Sequence, residues 1–179
     1  MKFIKLFLVL VFTALFLPVN SFAAPTPKAS QKPIEVNSFE MFWPIVAGKV
    51  QGDSLYNLKM FKENIRGFLI FSNLRKAEYN TVLSQKRLLE FEKLVLVNKD
   101  YDNAKLTLDT YKQTLKLITE QLQKSKEEGQ DVTRVSQNTL AIFEKEYALL
   151  QSIFTKVDET QKESIVEVIK SLTSIPSSL

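Results

Sequence analysis

The chain has no cysteine and no histidine. Their absence removes the Ser-His-Asp and Cys-His nucleophiles, the usual zinc site of nitrogen and sulfur ligands, the disulfide and the CxxC redox pair. It also removes the Glu-x-x-His ligands by which helical bundles hold paired metals, and the cysteine that carries a lipoprotein's lipid. Glycine is scarce at four residues, too few for a phosphate-cradling loop. Asp100 and Asp102 lack the ligand spacing of a calcium loop. No catalytic residue, cofactor or metal is therefore expected, and an enzyme is not the expected class. At 179 residues, 45% apolar and 25% charged, the composition fits one domain. Without disulfides its fold rests on the core alone.

The first 23 residues read as a secretory signal. Lys2 and Lys5 precede an apolar run from Leu6 to Leu17 that only Thr13 interrupts. Pro18 and Asn20 end the run, and Ser21-Phe22-Ala23 places small residues where a signal peptidase reads them, with cleavage after Ala23. The run is shorter than the roughly 20 residues of a spanning helix. An uncleaved signal is the alternative, and it would give the chain a membrane contact. The expected location is secreted or extracytoplasmic, in the cell envelope. Lysine and arginine total 24 against 20 acidic residues, and removing Lys2 and Lys5 leaves a net charge of +2. That is too little to argue for a nucleic-acid partner or for an anionic membrane.

Residues 24–38, with Pro25, Pro27 and Pro33, read as a tether, and 39–179 as a single helical-bundle domain. The domain opens on an apolar strip around Pro44 that either packs on the domain or meets a partner through Phe39, Phe42 and Trp43. From Ile45 to Ile175 there is no proline. Five helices can be placed in that stretch. The first runs from a cap at Asp53 or Ser54 to Phe71, with Leu55, Leu58, Phe61, Ile65, Phe68 and Leu69 along one side. The second runs from a Ser72 cap to Val97. The third spans Tyr101 to Glu128 and stops at Gly129. The fourth runs from an Asp131 cap to Val157. The fifth starts at Asp158, where Gln161 completes a capping-box pattern, and ends near Leu172. The fold class is all-α: an antiparallel up-and-down bundle of three long helices with a short N-terminal and a C-terminal helix.

Steps of three and four residues mark the seams of such a bundle. The second helix offers Leu74, Ala77, Thr81, Ser84, Leu88, Phe91 and Val95, and the third a series from Tyr101 to Ser125. The fourth offers Ser136, Leu140, Phe143, Tyr147, Leu150, Phe154 and Val157. Folding the third and fourth helices about Gly129 sets Tyr111 against Tyr147 and Leu115 against Phe143. Lys59–Glu63, Lys86–Glu90 and Glu120–Lys124 are spaced as i,i+4 pairs. A polar layer is therefore expected mid-bundle from Arg87, Glu90, Tyr111 and Tyr147. It serves either as a structural layer whose hydroxyls find partners or as a pocket for a small ligand.

Gly52-Asp53-Ser54-Leu55-Tyr56-Asn57-Leu58-Lys59, Lys76-Ala77-Glu78, Arg87-Leu88-Leu89-Glu90 and Glu92-Lys93-Leu94 carry a resemblance. They resemble a bacterial domain-of-unknown-function family of secreted or membrane-tethered helical proteins with the pattern S/P-L-Y-x-L-K … K-A-E … R-L-x-E. The similarity covers roughly residues 43–157. Many members carry Pro where this chain has Ser54 and Asn73. The resemblance implies an extracytoplasmic helical domain and carries over no catalytic residue.

The expected function is a non-enzymatic extracytoplasmic module for protein or envelope interaction, its partner another envelope or secreted protein. The alternatives are a small-ligand carrier built on the polar layer and a carboxylate-dependent enzyme. The sequence leaves the oligomeric state open.

Overall fold

Nothing in the proline-free stretch forces a helix to break, so caps and glycines set the boundaries. The computed structural model describes residues 36–175. The signal, most of the tether and residues 176–179 lie outside them. The described residues form six α-helices and no strand: α1 (Ser38–Phe42), α2 (Tyr56–Phe68), α3 (Asn73–Glu92), α4 (Tyr101–Glu127), α5 (Thr133–Phe154) and α6 (Glu159–Ser174). The all-α bundle expected from the stripes is what forms. Val36 already packs on the core and Asn37 caps α1, so the packed region begins just before residue 39.

The Ser72 hydroxyl accepts from the Arg75 amide and starts α3, and the Asp100 carboxylate accepts from the Asn103 amide and starts α4. At the end of α4, Gly129 takes a φ of 74°. Its amide then donates to Lys126 O, and that of Gln130 to Ser125 O, the paired bonds of a Schellman ending. Two expected caps do not form. Asp53 accepts from the Val50 amide instead of capping α2, and Asp158 makes no side-chain cap at α6. Beyond α3, Lys93–Asn98 is wound as a π-helix. Its Leu94 and Val95 are both buried in the core.

α3 and α4 form the closest pair, small residues such as Ala77, Ser84 and Ala104 letting their backbones approach. α5 packs on α3, and α6 closes against both α4 and α5. The expected α5 stripe needs correction. The seam that turns inward includes Val135, Thr139, Glu146, Leu149 and Ile153, about one residue from the expected series. Ser136, Phe143 and Leu150 belong to both. Leu140, Tyr147, Phe154 and Val157 are only half-buried, with Leu140 and Tyr147 beside Leu172 of α6. α5 therefore serves two neighbours with two adjacent stripes.

The 43–55 segment is pinned to the bundle by Phe42 and Val50, both buried. Gly52 sits at a φ of 92°, and a Cβ there would come 2.9 Å from Asn103 Nδ2. The backbone angle requires glycine, and an added Cβ would also push the Asn103 amide away from Asp100. Gly52→Ala should lower stability by about 1–3 kcal/mol in urea unfolding. Gly48→Ala, where nothing lies within 4 Å of the added atom, should cost less. Equal losses at the two positions would contradict the close approach.

Candidate functional site

α2 is amphipathic, and it is mounted inside out. At 3.6 residues per turn, Leu58, Phe61, Ile65, Phe68 and Leu69 share one side. All five are exposed, Phe61 at 61% and Phe68 at 80%. Phe71, just past the helix, is 88% exposed. The opposite side holds Tyr56 and Glu63, which are buried, with Lys59 and Met60 half-buried beside them. An apolar stripe normally marks the inward face. Here the charged face is inward.

A cluster of ions holds that face. Arg87 of α3 is 2% exposed and Glu90 wholly buried. The Arg87 guanidinium donates to Glu90 Oε1 at 2.7 Å through Nη1, and to Glu63 of α2 through Nη2. Nη2 also lies 3.0 Å from Met60 Sδ. The Lys59 ammonium spends three donors on Glu90, Ala47 O at 3.0 Å and Lys49 O at 2.7 Å. One lysine thereby ties α2, the 47–49 backbone and α3 together. Lys86 completes the set at 3.3 Å from Glu63. Burial pushes the Glu90 carboxyl up, Arg87 and Lys59 pull it back, and its Oε2 has no partner among the described residues. Burial likewise lowers Lys59, with Glu90 opposing. For Arg87 burial acts against the charge, and Glu90 with Glu63 outweighs it. The i,i+4 pairs expected at Lys59–Glu63 and Lys86–Glu90 are replaced by bonds between helices, and Glu120 pairs with Lys116.

A second polar chain crosses the core. The Tyr111 hydroxyl donates to Glu146 Oε2 at 2.8 Å, and Ser84 Oγ lies 2.7 Å from Oε1. Ser84 Oγ is also 2.9 Å from the Thr81 carbonyl. A hydroxyl carries one proton, and a carbonyl has none to give. The single Ser84 proton is therefore shared between Glu146 and the Thr81 carbonyl. Burial pushes Glu146 up to about 8, with the Ser84 and Tyr111 bonds pulling the other way. Tyr111 is raised well above its usual value by burial and by Glu146.

The expected layer of Arg87, Glu90, Tyr111 and Tyr147 is thus divided. Arg87 and Glu90 face α2. Tyr111 meets Glu146 rather than Tyr147, one residue along α5. Tyr147 is half-buried, and its hydroxyl accepts from Gln151 Nε2 at 2.7 Å. Of the expected partner contacts, Phe42 is a core residue. Phe39 and Trp43 are exposed, their ring centroids 5.1 Å apart. Glu146 was not singled out in the sequence, because a glutamate beside an apolar stripe resembles a surface residue. The inward role of Lys59 and Glu63 was hidden by their spacing as a local pair.

Alongside α2 runs a groove of about 390 Å³ toward α3, lined by Leu55, Leu58, Lys62, Arg66, Tyr79 and Lys86 among others. Arg66 lies over the Tyr79 ring at 5.4 Å, and the Tyr79 hydroxyl donates to Glu63 O at 3.0 Å. The groove mixes leucines with basic side chains, and Lys59 and Glu63 line it too.

Two outcomes test these clusters. Arg87→Met leaves Glu63 and Glu90 with only their lysine partners and should cost about 3 kcal/mol in urea unfolding. Lys59→Met, at a less buried site, should cost less while speeding hydrogen exchange along α2. Equal costs would contradict the assignment of Arg87 as the centre. Glu146 has a folded pKa of about 8 against an ordinary 4.5. The folded chain keeps a proton that the unfolded chain releases between those values. The contribution is full below about 4.5 and is lost as pH rises through about 8. It amounts to a few kcal/mol, on the order of 1.4 kcal/mol per tenfold change in proton affinity. Stability should fall across this window in the wild type and fall much less in Glu146→Gln, read by urea unfolding at each pH. A Gln variant as pH-dependent as the wild type would contradict a neutral Glu146.

Two of the segments that carry the sequence resemblance meet in this geometry. Lys59 of the first pairs with Glu90 of the third, and the Lys59 ammonium lies 5.5 Å from the centre of the Tyr56 ring. No curated protein and no solved structure matches the chain. A family model does match, over residues 48–175, from the turn before α2 to the end of the described chain. The chain belongs to the family described as a domain of unknown function, DUF5667.

Proposed function

We propose that the protein is a non-enzymatic binding module of the bacterial cell envelope, exported by its N-terminal signal and working through the outward face of α2. The observation that carries this reading is the inverted helix. An apolar side left in water is a cost, and the fold accepts it while using buried ion pairs to hold the other side. Patches of contiguous exposed apolar residues mark interaction surfaces. The lack of histidine and cysteine supports a binding role over a catalytic one. Phe39 and Trp43 offer a second, smaller exposed patch. A carrier using the mid-bundle layer has less support, since Tyr111 and Glu146 are fully buried and already bonded to each other.

Photoreactive benzoylphenylalanine placed at Phe68 in living cells should form adducts with envelope material. The same residue at Gln123, exposed on α4, should form few. Equal labelling at the two positions, or none at Phe68, would remove the reading.

A further inference from the structure

The face left outward on α2 has a charge pattern as well as an apolar one. Between Ser54 and Ala77 the sequence has one acidic residue, Glu63, and it is buried against Arg87. The same stretch has five basic residues. Lys59 is spent in the ion cluster, but Lys62, Arg66 and Arg75 are exposed. Lys62 and Arg66 lie along one edge of the apolar side, where Lys86 reaches the same groove. The surface therefore offers apolar side chains with cations at their margin and no exposed carboxylate.

We propose that α2 lies in the plane of an anionic bilayer, with its apolar side in the boundary between headgroups and acyl chains and with Lys62 and Arg66 on lipid phosphates. This rests on the reading of α2 as the contact face and names what it contacts. In-plane helices bind by buried apolar area together with attraction of basic residues to anionic lipid. Long basic side chains at the margin reach the headgroups while their stems stay on apolar surface. A second copy fits less well. α2 has 13 residues, so its face is roughly 20 Å by 10 Å, about 200 Å² per copy. A stable interface takes about 800 Å² per partner. Two such faces would also bring cations together without a counter-charge.

The test uses the absence of native cysteine, which makes an introduced thiol unique. Full-length Phe68→Cys is labelled with a dye whose emission shifts to the blue in apolar surroundings. Gln123→Cys is the control and carries the same N-terminal segment, so insertion of that segment alone cannot distinguish the two. The dye at Phe68 should shift with vesicles of equimolar phosphatidylcholine and phosphatidylglycerol, and not with phosphatidylcholine alone. The dye at Gln123 should not shift with either. High salt should reverse the shift. Lys62→Gln with Arg66→Gln should weaken vesicle binding by roughly 25-fold, about fivefold for each charge removed. Phe61→Ser should weaken it too. An equal shift on phosphatidylcholine alone overturns the anionic assignment. A shift that grows with protein concentration in the absence of vesicles assigns the face to a second copy. Shielding of the dye in buffer at every dilution assigns it to another segment of this chain. No shift under any condition overturns the lipid proposal. In that case, persisting adducts at Phe68 in cells would leave the contact-face reading standing, and their loss would remove both.

Discussion

Charge buried between α2 and α3 is the constraint on which the rest depends. Arg87 cannot lose its proton, and a lone guanidinium in the interior would be costly. It therefore needs carboxylates on both sides. Glu90 supplies one from its own helix, and Glu63 supplies the other only if α2 presents its polar side to the bundle. Lys59 follows, since Glu90 also receives it, and with Lys59 come the 47–49 carbonyls. The orientation of α2, the path of the segment before it and the exposure of its apolar side are thus one decision made by three or four ionic groups. Such clusters add little net stability compared with apolar packing. Breaking one is expensive, so this one acts as a specification of geometry.

The bundle beneath is also specified by polar groups. Ser84, Tyr111 and Glu146 bring α3, α4 and α5 together at one level, and Thr81 meets Thr139 at 3.2 Å close by. Around them Leu88, Leu115, Ile118 and Leu150 supply the burial that offsets chain entropy. A fully bonded interior network fixes which residues can lie level, where a purely apolar seam tolerates slippage. α3 carries both networks, one on the side of α4 and α5 and one on the side of α2. The helix that holds the charged side of α2 is thus the one that also ties α4 and α5 together.

Much of the fold was legible in the sequence because periodicity and caps are local properties. The Ser72 cap, the Gly129 ending and the stripe from Ala104 to Leu122 all stand as read. The α5 stripe was misread by about one residue because two three-and-four series overlap there, and the one richer in large apolar residues faces α6. The site was less legible. Amphipathicity says that α2 has two faces and does not say which is covered. Glu63 lies four residues from Lys59, so a local pair was the natural assignment. The cue that was present is Arg87 and Glu90 beside Leu88 and Leu89, charges in a part of α3 that is otherwise core.

The central claim is that α2 is held by its charged side and leaves its apolar side in solvent. Hydroxyl-radical footprinting of the full chain, read residue by residue by mass spectrometry, measures this directly. Phe61 and Phe68 should be modified readily, while Tyr56, an intrinsically reactive ring on the covered side, should be protected. Protection of Phe61 and Phe68 in a dilute monomer, with Tyr56 freely modified, would show that the helix packs the other way round and would contradict the account.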